Sequence, residues 1–117
     1  MSAMAVLTNA GLGTNRRGPA ADHEALEAAA ELLKALAHVH RLAILLELDD
    51  GPRCVHELVE ALGISQPLVS QHLRVLRSIH MVCAERRGRE TVYSLGDEHV
   101  AHIVHDALVH ARERRPL

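Results

Sequence analysis

The chain has almost no aromatic residues and very little sulfur. Its 117 residues contain no Trp, no Phe, one Tyr and two Cys. The hydrophobic core must therefore consist of Leu, Val, Ala and Ile, which favours a small helical domain. Two cysteines indicate no disulfide framework of the kind found in small secreted proteins, so a reducing cytoplasm is the expected location.

Long hydrophobic runs are also missing. No segment approaches the roughly 20 apolar residues that span a bilayer, so we expect no membrane partner. The segment 1–7 is too short for a signal peptide and lacks its basic flank. Residues 1–21 are rich in Ala, Gly, Asn and Thr without any period, which predicts a mobile N-terminal arm before a folded domain at 22–117.

The charge is unevenly distributed along the chain. The net charge of −2 argues at first against a nucleic-acid partner. However, the segment 53–94 contains six Arg against four Glu, whereas the segment 22–50 contains seven acids against two bases. Because contact with phosphate depends on local charge, the middle of the chain remains a candidate for DNA binding.

Apolar periodicity predicts a mainly α fold with five helices and two short strands. The expected order is α-α-α-α-β-β-α, with helices at 22–36, 40–48, 54–62 and 66–77, strands at 81–85 and 90–95, and a last helix within 96–113. Asp22 is the expected cap of the first helix. This order is that of a winged helix-turn-helix.

The third and fourth helices have the features of a helix-turn-helix. Gly63 lies in the turn between them, Ser65 can cap the fourth helix, and Pro67 falls in its first turn, where it costs little. Val69, Leu73 and Leu76 are expected to face inward. The outward face predicts DNA contacts by Ser65, Gln66, Ser70, Gln71 and Arg74.

The two strands are joined by Arg86-Arg87-Gly88-Arg89, where Gly88 can adopt a positive φ. Such a basic tip can be an ordinary solvated turn. Because it directly follows a helix-turn-helix, we interpret it as a wing whose Arg86, Arg87 and Arg89 contact DNA.

The last helix carries a stripe of imidazoles and carboxylates beside its apolar stripe. Asp97 and His99 lie at its start, and His110 and Glu113 lie eleven or more residues later, about 16 Å away along the axis. One helix therefore cannot enclose one ion with all four ligands. Two antiparallel copies related by a two-fold axis can, giving two equivalent sites per dimer. Two imidazoles and two carboxylates suit zinc or cobalt.

A purely structural interpretation of this stripe is also available. Asp97 is a good helix cap, and a chain with ten His places some of them at helical spacing by chance. Helical spacing alone leaves the two interpretations open.

Three segments together carry a resemblance to a known family. They are Ala35-Leu36-Ala37-His38-Val39-His40-Arg41-Leu42-Ala43-Ile44-Leu45, Ser65-Gln66-Pro67-Leu68-Val69-Ser70-Gln71-His72-Leu73-Arg74-Val75-Leu76, and Arg87-Gly88-Arg89. With them, nearly the whole folded part resembles the ArsR/SmtB family of metal-responsive winged-helix repressors. The resemblance implies a homodimer through the first and last helices. It also matches Asp97, His99, His110 and Glu113 to the zinc site of the SmtB branch.

The chain departs from the family pattern in two places. Val39-His40 stands where the family often has Asp-Pro, which we expect to alter a helix start and not the function. Some members have a further metal site at the third helix, for which Cys54 and Glu57 match the first half. The N-terminal Cys of that site is missing, so His23 or Asp22 is its only candidate partner.

Other ligand-type side chains have less specific expectations. His102 and His105 are alternative ligands, especially for nickel or cobalt, and Asp106 is a candidate to orient a ligand imidazole. Cys83 is expected in the core of a strand.

The resulting hypothesis is a zinc-responsive repressor whose metal-free dimer binds operator DNA and is released by zinc. The alternative is a winged-helix repressor that senses nickel, cobalt or thiol oxidation at Cys54 and Cys83. A zinc hydrolase is disfavoured, because the sequence has no His-Glu-x-x-His motif and no nucleophile elbow. A zinc buffer protein would not need the wing.

Overall fold

The computed structural model describes residues 19–114, with side chains from residue 22 onward. It contains five helices and one three-stranded sheet, as the apolar pattern predicts apart from one short strand. The elements are α1 (Pro19–Leu36), α2 (Val39–Asp49), β1 (Arg53–Cys54), α3 (Val55–Leu62), α4 (Gln66–Ser78), β2 (Val82–Arg87), β3 (Glu90–Leu95) and α5 (Glu98–Arg114).

The first helix begins three residues earlier than the sequence suggested. Pro19 opens α1, which is favourable because its fixed φ suits a first helical turn and its missing N–H would be unpaired there. Asp22 therefore lies in the first turn and is not the cap. The expected arm at 1–21 is wrong for residues 19–21, and its residues 1–18 lie outside the described part of the chain.

The described residues fall into two compact units, of which the first ends at Leu32 and the second begins at Leu33. In the first unit the apolar side chain of Leu26 is 67% exposed. The second unit contains the remaining helices and the sheet, and its core includes Ile44 and Leu45 of α2 and Leu58 of α3, all essentially inaccessible to solvent.

The helix α2 begins at Val39, and His38 caps it. The Nδ1 atom of His38 accepts a hydrogen bond from the backbone N–H of His40 at 3.2 Å. An imidazole thus takes the capping role that a short polar side chain usually has. The altered helix start expected from Val39-His40 is local, since α2 continues normally to Asp49.

The sheet is antiparallel in the order β1-β3-β2. Its first strand, β1, was not predicted, because two residues are too few to show any alternation. Cys54 pairs with Val92 of β3, and β2 and β3 form the wing hairpin with Arg87 opposite Glu90. Gly88 in the tip has φ +62°, as predicted.

The expected burial of Cys83 is wrong. Its neighbours Val82 and Ala84 face inward and are buried or half-buried, so the period of two along β2 turns Cys83 outward. Cys54 is buried, and both cysteines are free thiols.

The last helix packs against α2, and its buried residues are Val100 and Val104. At its start, the backbone N–H of Gly96 donates to the carbonyl of Met81 at 2.9 Å. Within the described residues, no helix has the length and hydropathy required to cross a membrane.

Candidate DNA-binding and metal sites

The helix-turn-helix is fixed by its turn and by its buried face. Gly63 ends α3 in the left-handed conformation (φ +70°), and its N–H donates to the carbonyl of Val59 at 2.9 Å. Ser65 then caps α4, its Oγ accepting a long hydrogen bond of 3.4 Å from the N–H of Leu68. Pro67 lies in the first turn of α4, as expected.

The two faces of α4 are those expected from the sequence. Val69, Leu73 and Leu76 are at most 1% exposed, and they anchor the helix in the core. The opposite face is polar: Gln66, Gln71 and Arg74 are exposed and Ser70 is half-buried. The described geometry therefore leaves these side chains free to meet a major groove, a role that stays a prediction.

The three wing arginines have different surroundings. Arg86 folds back, its Nε donating to the carbonyl of Gly88 at 3.1 Å. Arg87 forms an exposed ion pair with Glu85 at 3.2 Å. Within residues 22–114, the guanidinium of Arg89 has no hydrogen bond or ion pair, so Arg89 needs to break no interaction to reach a phosphate.

The four predicted metal ligands, of which Asp97 immediately precedes α5 and the other three lie within it, are all exposed. Asp97 also caps the helix, since its Oδ1 accepts hydrogen bonds from the N–H groups of His99 at 2.8 Å and Val100 at 3.3 Å. The capping role considered from the sequence is thus confirmed. One carboxylate oxygen of Asp97 makes both bonds, which leaves Oδ2 for a further ligand.

In the described part of the chain, no three ligand atoms of the α5 set converge. The groups of three or more ligand atoms within 4.8 Å of one another lie elsewhere, at the starts of α2 and α3. This agrees with the distance of about 16 Å between the two ends of the set, which requires a second copy to complete a site. Their role as ligands remains a prediction.

The alternative ligands on α5 differ in availability. His105 contacts Asp49 of α2, with its Nε2 at 2.8 Å from a carboxylate oxygen. His102 is exposed. His105 therefore contributes to the packing of α5 on α2, whereas the side chain of His102 makes no hydrogen bond or ion pair within residues 22–114.

The candidate second site has different members from those expected. Cys54 and Glu57 do meet, because the thiol and the backbone N–H of Cys54 donate to one oxygen of Glu57 at 3.2 and 2.9 Å. His23 instead pairs with Glu27 inside α1, at 3.6 Å. The side chains that join Cys54 in one cluster are His56 and Glu90.

The geometry of this second cluster is tight. Nδ1 of His56 lies 3.2 Å from Sγ of Cys54 and 3.5 Å from a carboxylate oxygen of Glu90. Burial raises the pKa of the Cys54 thiol, and the hydrogen bonds from Cys54 lower the pKa of Glu57. The spacing Cys54-x-His56 could have indicated two members of this cluster from the sequence. Glu90 could not be assigned to it without knowing that β1 pairs with β3.

Comparison with known proteins decides the family. Residues 38–82 match the model of the bacterial regulatory protein arsR family. The chain is 58% identical over 90 residues to the transcriptional repressor SmtB of Mycobacterium tuberculosis, covering 77% of this chain and 67% of that protein. It is 44% identical over 99 residues to the regulator NmtR of the same species, covering 85% and 82%.

The chain belongs to the ArsR/SmtB family. Its fold agrees: a homodimeric winged helix-turn-helix DNA-binding domain from Mycobacterium bovis superimposes with a TM-score of 0.72 at 34% identity, over 79% of this chain and 85% of that one. This ArsR/SmtB member is therefore a winged-helix transcriptional regulator and not an enzyme. The family and the fold inferred from the sequence are confirmed.

Proposed function

We propose that this protein is a zinc-responsive transcriptional repressor, which binds operator DNA as a metal-free homodimer and releases it when zinc binds across the two α5 helices. The observation that carries the proposal is the position of Asp97, His99, His110 and Glu113. All four are exposed on one helix, yet they lie in two groups too far apart to share an ion within one chain.

An uncovered apolar surface supports the homodimer. Leu42, Val104 and Ala107 line two adjoining grooves between α2 and α5, and Leu108 and Ala111 extend the surface along α5. Val109, on the same helix, is 48% exposed. A second copy that covers this surface would also bring ligands from its own α5. The relative from M. bovis is described as homodimeric.

In the dimer, Asp97 and His99 of one copy would hold the ion together with His110 and Glu113 of the other. Zinc would supply two cross-links between the α5 helices, and calcium or magnesium would not suit two imidazoles. The chain itself would transmit the effect of zinc binding from α5 to the DNA-binding helix α4. Since α5 packs on α2, and α2 in turn contacts α4, a shift of α5 would be passed through α2 to α4.

DNA recognition would use both outward faces described above. The two α4 helices of a dimer would enter successive major grooves, with Ser65, Gln66, Ser70 and Gln71 towards the bases or phosphates. Arg74, Arg86, Arg87 and Arg89 would contact the backbone. Of the wing arginines, Arg89 is the one whose guanidinium is unpaired within residues 22–114.

Zinc and DNA must oppose each other to the same extent, because coupling between two ligands is reciprocal. Typical coupling free energies are about 1–3 kcal/mol, or roughly 5- to 150-fold in affinity. The test is fluorescence anisotropy of operator-length DNA at fixed salt, with zinc added and then chelated. We expect reversible loss of binding; unchanged tight binding in zinc would contradict the proposed release.

A response to nickel or cobalt is the second candidate. It is favoured by His102, which is exposed on α5 between the two ends of the proposed site and can raise the ligand number. A competition series with zinc, cobalt and nickel, read as the metal concentration that halves DNA binding, separates the two. A substantially lower value for nickel or cobalt than for zinc, raised by His102→Ala, would assign the sensor to that metal.

A further inference from the structure

Three histidines meet at the contact between α2 and the recognition helix α4. His38 caps α2, His40 lies in its first turn, and His72 lies in the middle of α4. The ring centroids of His38 and His72 are 4.5 Å apart, and that of His40 lies 5.5 Å from His38 and 5.7 Å from His72. One ring nitrogen from each of the three lies within 4.8 Å of the other two.

His72 is the buried member of this group. It is 5% exposed and lies on the same inward face of α4 as Leu73 and Leu76. Its Nδ1 accepts a hydrogen bond of 3.2 Å from Nε of Arg41. Within residues 22–114, its Nε2 has no hydrogen-bond partner. Most buried polar atoms have one, so this nitrogen is an unusual feature of the core.

We propose that His38, His40 and His72 form a binding site for a divalent transition-metal ion, separate from α5 and complete within one chain. Three imidazoles without a carboxylate suit zinc, cobalt, nickel or copper and do not suit magnesium or calcium. With zinc–nitrogen bonds of about 2.0–2.1 Å, tetrahedral ligand nitrogens lie about 3.3 Å apart. The present separations require only modest side-chain rotations.

The solvent exposure of two of the three rings allows those rotations. His38 is exposed and His40 half-buried, so both rings can turn towards a fixed His72 and the ion can enter from solvent. Burial first, and then the neighbouring His38, Arg41 and His40, lower the pKa of His72, so its ring is neutral when it meets an ion.

Metal binding at this site would be opposed by Arg41. Because Arg41 donates to Nδ1, a neutral His72 ring carries its proton on Nε2. A metal ion needs an unprotonated ring nitrogen. It must therefore either take Nδ1 or move the proton there, and both choices break the hydrogen bond to Arg41. Arg41 keeps a second hydrogen bond, from Nη1 to the carbonyl of Ala35 at 2.8 Å.

The position of the site suggests its use. A bound ion would link the start of α2 directly to α4, whose opposite face is the one expected to meet DNA. The recognition helix would then respond to a metal ion bound at its own inward face, in addition to any ion bound at α5. The binding step does not depend on the proposed role of α5, and the two can be removed independently by substitution.

The test is a cobalt(II) titration of the full-length chain carrying His99→Ala and His110→Ala, which silences the α5 ligands. We expect this background to bind one cobalt per chain with d–d absorption and no thiolate-to-cobalt charge-transfer band. Adding His38→Ala and His40→Ala should lower cobalt affinity by at least about 100-fold, the upper range for merely supporting groups. His38 is exposed and His40 half-buried, and far-ultraviolet circular dichroism checks that the fold is retained.

His56→Ala on the same background is the matched control, because it removes a ligand of the Cys54 cluster and leaves the three histidines intact. We expect cobalt binding to persist in it. The proposal is overturned if the background binds no cobalt, if His38→Ala with His40→Ala leaves the affinity unchanged, or if His56→Ala removes the binding. Arg41→Met is the second variant, and it should raise the affinity by removing the competing donor.

Discussion

In α4 the inward side chains Val69, Leu73 and Leu76 are almost fully buried by the same chain, whereas α5 buries Val100 and Val104 and leaves Val109 and a row of ligand-type side chains exposed. The helix-turn-helix is thus complete within one chain. The last helix has its capping and its core contact, but its proposed metal ligands are divided between two ends. On the proposed function, α4 folds without a partner chain, whereas the metal site on α5 needs a second copy to be complete.

The largest expected effect concerns α4, whose inward face is buried by the same chain. Leu76→Ala in α4 should lower the free energy of unfolding by about 2–5 kcal/mol, because it leaves a cavity in a site with no solvent access. Leu68→Ala is the matched control on the same helix, where the side chain is 42% exposed and the loss should stay within about 0.5 kcal/mol. Urea unfolding at one protein concentration measures both; equal losses would contradict the comparison.

The next effect concerns the proposed metal ligands on α5, which need a second copy to complete a site. His99→Ala or His110→Ala should leave metal-free DNA affinity unchanged and abolish the zinc effect, which is typically about 5- to 150-fold. Anisotropy with and without zinc provides the measurement. His102→Ala is the control on the same helix and should retain the zinc response. A weaker metal-free affinity in either ligand variant would assign that histidine to the fold or to DNA contact.

A smaller effect distinguishes the wing arginines. Arg89→Gln should reduce the slope of log affinity against log salt by about 0.9 per lost phosphate contact, or about 1.8 for a symmetric dimer. Arg87→Gln should reduce it less, because Arg87 is already paired with Glu85. Titrations at several salt concentrations give both slopes. An unchanged slope for Arg89→Gln would remove it from the DNA interface.

The smallest effect concerns the start of α4. Ser65→Ala should lower the free energy of unfolding by about 0.5 kcal/mol, at the weak end for a lost cap, because the Oγ to Leu68 N–H distance is a long 3.4 Å. Ser65→Asp should restore the stability in the same unfolding assay, since a carboxylate also caps. A loss above about 2 kcal/mol would show that Ser65 has a further structural partner.

Most of the fold followed from local patterns. Apolar periodicity located α2 to α5 within about two residues, and Gly63, Ser65 and Gly88 marked turns that the structure contains. Local pattern failed where the signal was short or ambiguous. β1 has two residues, Cys83 faces solvent because of its register in β2, and Pro19 extends α1 by one turn.

The candidate sites were predictable only where their members lie on one element. Asp97, His99, His110 and Glu113 share one helix, so helical spacing alone groups them. Glu90 joins Cys54 only through the pairing of β3 with β1. His72 joins His38 and His40 only through the packing of α4 on α2. Side chains 30 or more positions apart cannot be assigned to one cluster until the tertiary contacts are known.

Gly96 lies where the wing ends and α5 begins, and a Cβ built there would collide with the carbonyl oxygen of His80. The position is therefore closed to every other amino acid unless the two segments separate. The segment after the recognition helix and the start of α5 thus lie so close together that residue 96 has room for the hydrogen atom of glycine and for no larger side chain. Mutagenesis libraries of this protein should tolerate changes at the exposed residues around Gly96 and retain glycine at that codon.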